Sequence, residues 1–162
     1  DNVAYVGWCK KFLKTLEQNY RKAPQYETVL SIIQDILACN VQSISALAIQ
    51  TIKATCYYLN ITTEMVETAI NYNNSHLKAE ERVIDICRQE SAQIYVNAAG
   101  GRELYSYDNF KSNGIELKFL KPRDISYKQL GNPFVPWLSI IDVLMFNTPE
   151  TIHRLVNQYD LV

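Results

Sequence analysis

The sequence predicts an α/β fold: a small, mostly parallel sheet of three or four strands flanked by helices, preceded by an all-helical part. Three observations predict it. Residues 1–60 carry one helical periodicity after another. Residues 65–120 then read strand, helix, strand, helix, strand, the order that produces parallel strands joined by crossover helices. The central strand, Gln93-Ile94-Tyr95-Val96-Asn97-Ala98, runs directly into Gly100-Gly101 and a new helix at Arg102-Glu103-Leu104-Tyr105. Ligands in open parallel sheets bind outside the carboxyl ends of strands, so this stretch is the leading site candidate.

The first helix spans residues 8–20, with Trp8, Phe12, Leu16 and Tyr20 repeating every four positions. Lys10, Lys11, Lys14, Arg21 and Lys22 form a basic cluster that reads as a solvated face. Pro24 ends this element, because the residue before a proline avoids the helical region. A second helix covers 26–38, with Val29, Leu30, Ile33, Ile36 and Leu37 as its apolar stripe. A third covers 43–58, with Ser43 or Ser45 placed to cap it.

Residues 65–70 predict a short strand, 77–90 a helix with Val83, Ile84 and Cys87 inward, and 115–120 a half-buried alternating strand. Gly114 is placed as a stop signal after the preceding helix. Residues 125–129 predict a short edge strand or extended arm, and Gly131, Pro133 and Pro136 make 130–137 a loop. A buried helix follows over 138–146, and Thr148-Pro149 opens the last one. The organisation expected is one domain over 1–162, with 1–60 helical and 61–162 α/β.

Composition narrows the function. Of 162 residues, 48% are apolar and 20% charged, which excludes a disordered chain. A net charge of −1 offers no electrostatic reason to bind nucleic acid. No apolar run approaches the length of a membrane span. Cys9, Cys39, Cys56 and Cys87 lie in predicted helices with no C-x-x-C pair. They are expected to be free, buried small hydrophobes in a reducing compartment. His76 and His153 are isolated, so no metal site is expected.

The candidate binding residues follow from these elements. Asn97 is placed to hydrogen-bond a substrate while Gly100 and Gly101 expose backbone N–H groups to an anion. Arg102 can pair bidentately with phosphate or carboxylate, and Tyr105 can stack or donate. Arg82 and Asp85 share one helical face and can pair with each other, and Ser75 marks that helix's start as an anion contact. Tyr127 and Gln129 alternate on one face of an extended segment. Asp142 sits within an apolar run and must find a partner, either Ser139 or a backbone amide. No nucleophile elbow or Cys-His order stands out, so no catalytic residue is assigned. No cofactor is indicated, and the oligomeric state is not legible.

Several motifs in order resemble the WbqC-like family: Lys14-Thr15-Leu16-Glu17-Gln18-Asn19-Tyr20-x-Lys22-Ala23-Pro24, then Arg82-Val83-Ile84-Asp85-Ile86-Cys87, then Tyr95-x-Asn97-Ala98-x-Gly100-Gly101-x-Glu103-Leu104-Tyr105, then Phe110-x-x-x-Gly114-Ile115, then Phe134-Val135-Pro136-x-Leu138-Ser139-Ile140-Ile141-Asp142. The resemblance covers nearly the whole chain. Family members usually open with a further strand and a Gln-Pro-x-x-x-Pro-x-x-Gly-Tyr type motif, so this chain is expected to be a C-terminal fragment. Phe12 stands where many relatives carry a histidine, which weakens a catalytic reading of the first helix.

The resemblance implies a cytoplasmic protein of bacterial O-antigen or surface-polysaccharide biosynthesis. It further implies a transferase moving a small acyl or aminoacyl group, such as glycine, to a nucleotide-linked sugar. Its partner is then a small, phosphate-bearing molecule. The alternatives are a non-catalytic sugar- or nucleotide-binding or assembly module, or a nucleotide-dependent ligase.

Overall fold

The computed structural model describes residues 2–39, 43–131 and 133–162. Among them are seven α-helices, two 3-10 helices and three strands. The chain divides into two compact units. One comprises residues 1–64 and 125–157, the other 65–124 and 158–162.

The first unit is helical. Helix α1 spans Asn2–Tyr20 and α2 spans Tyr26–Ala38, separated by the turn that Pro24 imposes. Val29 and Ile36 of the predicted stripe are buried, together with Tyr26, while Leu30, Ile33 and Leu37 are half-buried. Helix α3, Ile44–Tyr58, is capped by Ser43, whose Oγ accepts from the Ala46 amide at 3.1 Å. None of its residues is buried. After the loop, α6 spans Ile140–Phe146 and α7 spans Pro149–Val156. Ser139 caps α6, which starts at Ile140, two positions later than predicted, and Thr148 caps α7 through the Thr151 amide. The core gathers Val29, Leu59, Leu144, Met145 and Ile152. The Gln25 amide donates to the Met145 carbonyl at 3.0 Å, fixing the start of α2 against the end of α6.

The second unit holds helix α4 (Ala79–Gln89), strand β1 (Ile94–Ala98), helix α5 (Tyr107–Ser112), strand β2 (Glu116–Pro122) and strand β3 (Tyr159–Leu161). Strands β1 and β2 are parallel, with Asn97 opposite Phe119. The crossover between them is the sort of connection that parallel pairing needs. Gly114 closes it at φ +73°, the left-handed conformation that favours glycine.

Two expectations need correction here, and two further points refine the reading. Residues 65–70 form no strand: Thr68 instead caps a 3-10 helix over Ala69–Tyr72, and Val66 and Ile70 stay exposed with no neighbouring strand to cover them. The sheet is mixed rather than mostly parallel, because β3 pairs antiparallel with β2. Residues 125–129, expected as an edge strand or an extended arm, form no strand, which leaves the arm, and they lie in the first unit. The sheet is also not equally covered on both faces. Ile84, Cys87, Phe110, Ile115, Leu117 and Phe119 pack into one core, whereas Ile94 and Val96 of β1 remain 49% and 43% exposed.

The cysteines are free, but only Cys87 is buried. Cys39 is exposed, because it lies just past the end of α2, where Sγ donates to the Asp35 carbonyl at 3.3 Å. Among the described residues, no helix is long and apolar enough to cross a membrane.

Candidate functional site

The first cluster lies in the second unit, where β1 ends. The predicted helix after the glycines is a 3-10 helix over Ala99–Leu104, which leaves Tyr105 outside it. Asn97 Nδ2 donates to the Tyr95 hydroxyl at 3.1 Å, and its Oδ1 accepts from the Ala98 amide at 2.7 Å. Its amide is therefore engaged within the turn. A Cβ on Gly101 would meet that amide at 3.4 Å, an ordinary contact, and one on Gly100 would meet nothing within 4 Å. Neither glycine has a positive φ. The backbone conformation and the packing do not require glycine at either position, and the space beside Gly100 is open.

Arg102 is exposed beside these glycines. Its guanidinium lies 5.9 Å from the Phe119 ring centroid, and Nη2 donates to the Tyr107 hydroxyl at 3.3 Å. Tyr107 in turn meets Phe119 edge to face at 5.9 Å. Stacking on an aromatic face holds an arginine in place without neutralising it. No carboxylate pairs with Arg102 among the described residues. The result is a positioned cation beside the carboxyl end of a parallel strand.

The connection after Arg102 is fixed from α4. Both oxygens of Glu80 are used there, one by the Ser106 amide and the other by Asn109 Nδ2 at 2.5 Å. Tyr105 packs edge to face on Tyr95 and Phe110, within the aromatic part of the core. Burial, then the contact with Tyr105, holds the Tyr95 phenol well above its ordinary range.

Arg82 and Asp85 do not pair directly. Asn74, only 2% exposed, stands between them. Arg82 Nε donates to Asn74 Oδ1 at 3.1 Å, and Asn74 Nδ2 donates to Asp85 Oδ2 at 2.7 Å. Gln89 adds a donor to the same oxygen at 2.8 Å. These hydrogen bonds lower the Asp85 carboxyl below the usual range. Ser75 lies in a turn three residues before the helix cap at Lys78, so it is not in the first turn of α4 as expected.

The second cluster lies in the first unit. Asp142 is 3% exposed in the first turn of α6. Its Oδ1 accepts from the Tyr127 hydroxyl at 2.6 Å and from Gln129 Nε2 at 2.8 Å. Its partners are thus side chains of the extended segment, not Ser139 or a backbone amide. Tyr20 faces it as well: burial first, then the Asp142 charge and hydrogen bond, push its phenol up to about 12. Burial and the same carboxylate raise Tyr127 further. Gln129 also grips Val135, donating to its carbonyl at 3.1 Å and accepting from its amide at 2.9 Å. Tyr127 meets Phe134 edge to face at 5.1 Å. The cluster anchors Phe134 and Val135 of the predicted loop onto α6; residue 132 of that loop lies outside the described residues.

Sequence reasoning missed Asn74, Glu80, Tyr107 and Tyr20. Asn74 sits in a polar stretch that reads as a turn, and Tyr20 belongs to a stripe that reads as core. Only the spacing of Tyr107, five residues after Arg102, offered a signal. Among the described residues, no group of His, Cys, Asp and Glu could hold a metal ion.

A mixed three-stranded sheet with an unpaired arginine at a strand end, together with a helical unit built around a buried carboxylate, defines an α/β protein with polar sites. The chain belongs to the WbqC-like protein family, whose model matches residues 2–154. Searches of curated proteins and of solved structures find no match.

Proposed function

We propose that the protein acts in bacterial surface-polysaccharide biosynthesis as a transferase, moving a small acyl or aminoacyl group, with glycine a candidate, to a nucleotide-linked sugar. Family membership supports the pathway, since the WbqC-like family is associated with polysaccharide biosynthesis. One observation carries the substrate class: Arg102 is held over Phe119 by Tyr107, without a carboxylate partner, next to the open surface at Gly100. A diphosphate linker supplies the planar, charged oxygens that a guanidinium recognises bidentately. In this reading Arg102 binds the phosphates, Tyr107 positions Arg102, and Gly100 with Gly101 leaves room for the ligand to approach the backbone. The protein works in the cytoplasm, where nucleotide-linked sugars are made.

A second reading is favoured by the hydrogen bonding of Asn97 and Asp142. Both side chains are engaged by intramolecular partners, which suits a non-catalytic binding or assembly module. Thermal-shift titration with a panel of nucleotide-linked sugars and nucleoside triphosphates tests binding, with Arg102→Gln as the control. Turnover of a bound sugar in the presence of an acyl or aminoacyl donor separates transferase from module.

A further inference from the structure

Side chains alternate between the two faces of a strand, so the face of β2 that sends Leu117 and Phe119 into the core continues to Lys121. Lys121 stands about 6.6 Å beyond Phe119, twice the rise per residue, and is exposed where the core ends. In the parallel register Ala98 lies beside Leu120, so Ala99-Gly100-Gly101 leaves β1 next to Lys121. Arg102, at the far end of that turn, lies by the Phe119 ring on the same face. Two cations, Arg102 and Lys121, thus share one face of the sheet at the carboxyl end of its parallel pair.

The carboxylate nearest to quenching Lys121 is already taken. Asp160 stands directly opposite Lys121 across the antiparallel pair. Arg123 Nε donates to both oxygens of Asp160 at 3.1 Å, and Arg123 Nη2 donates to one of them. That hydrogen bonding is the main reason the Asp160 carboxyl lies below its usual range; the Lys121 charge adds least. Glu116 of the same strand points to the other face, where it pairs with Lys118 at 3.2 Å. Lys121 makes no ion pair among the described residues. Arg123 therefore offsets the charge that would otherwise bind Lys121 or repel an anion.

We infer that Lys121 is the second phosphate ligand of this site, so that Arg102 and Lys121 cradle the two phosphates of a diphosphate beside the glycine turn. The inference rests on Arg102 as the phosphate contact of the proposed function, and it adds a requirement for two phosphates. The Arg102 guanidinium meets one phosphate with paired N–H groups. The Lys121 ammonium is a point charge on a flexible stem and takes an oxygen of the other phosphate without demanding one orientation. The space beside Gly100 is open to such a ligand. In this arrangement a single phosphate engages Arg102 and leaves Lys121 unused.

The test measures the Kd of inorganic pyrophosphate and of inorganic phosphate by calorimetry, at one fixed ionic strength because salt screens exposed charges. Lys121→Gln should weaken pyrophosphate by about tenfold or more, as loss of a hydrogen bond between charged groups does, and leave phosphate within about twofold. Lys121→Arg, which keeps the charge, should hold pyrophosphate within about threefold. Lys128→Gln, the same loss of charge in the other unit, should change neither ligand. Lys121 is exposed, so the unliganded variants should melt with the unmodified protein. The cradle is overturned by pyrophosphate that does not bind, by binding that Lys121→Gln leaves unchanged, or by equal weakening in Lys128→Gln. A nucleotide-linked sugar that binds Lys121→Gln at full strength but not Arg102→Gln also overturns it, while the proposed function stands. Pyrophosphate binding that needs both cations, in a protein that binds no nucleotide-linked sugar, upholds the cradle and overturns the proposed function.

Discussion

The Tyr127 hydroxyl donates to Asp142 Oδ1 at 2.6 Å, across fifteen residues of chain, tying the segment before Val135 to α6. Among the described residues no cation pairs with this carboxylate, which is held by neutral donors from Tyr127 and Gln129. Hydrogen bonds to a buried charge contribute about 1.5–3 kcal/mol each. Tyr127→Phe should therefore destabilise the first unit by about that amount, measured by chemical denaturation. Gln129→Leu should cost as much or more, because it also releases both backbone groups of Val135.

Burial, and after it the same carboxylate, delays an alkaline transition. The Tyr20 phenol titrates at about 12 in the folded protein, against an ordinary 10 when unfolded. A raised folded value means that Tyr20 contributes stability fully below pH 10, and that this is lost as pH rises through 12. Tyrosinate absorbance should show Tyr20 ionising late, and Asp142→Asn should bring it earlier. Burial alone should still keep it above 10, because burial is the larger cause.

Acid should loosen the short C-terminal strand. Arg123 grips Asp160 through Nε at 3.1 Å to each oxygen and through Nη2, tying β3 to the end of β2. This pairing holds the Asp160 carboxyl below its ordinary value. A depressed folded value contributes stability that is present above about pH 4 and lost as pH falls through the lower folded value. Amide exchange at Val162, whose N–H donates to the Phe119 carbonyl, should quicken over that acid window. Asp160→Asn should make it quick at neutral pH and remove the dependence.

The glycines should separate cleanly. Gly114 sits at φ +73°, so Gly114→Ala should destabilise the second unit by about 1–2 kcal/mol. Gly100→Ala meets open space and should leave the melting temperature unchanged while weakening a ligand that approaches the backbone there.

Much of this fold is legible in the sequence. The apolar stripe of α2, the Ser43 and Thr148 caps and the stop at Gly114 are local signals, and each appears where its chemistry predicts. What was not legible depends on distant partners. Val66 and Ile70 have strand-like residues but no strand beside them, and strand propensity is set by neighbours more than by the residue itself. Residues 159–161 form a strand because Leu120, Lys121 and Pro122 pair with them and Arg123 holds Asp160. The site shows the same division. The strand-end position of Gly100 and Arg102 could be read from local order. That Asn97 turns its amide inward, and that Tyr107 and Phe119 hold Arg102, are tertiary facts.

The proposed function rests on Arg102 binding the phosphates of a nucleotide-linked sugar. The most direct measurement is the melting temperature of the protein against a panel of such sugars, with Arg102→Gln and Gly100→Ala beside it. A ligand at one hundred times its Kd should stabilise the folded state by about 2.7 kcal/mol, a rise of roughly 5–10 °C for a chain of this size. The expected result is that rise for at least one sugar, its loss in Arg102→Gln, and unchanged melting of the unliganded variant. A rise of the same size in Arg102→Gln, or no rise with any ligand in the folded protein, would contradict it.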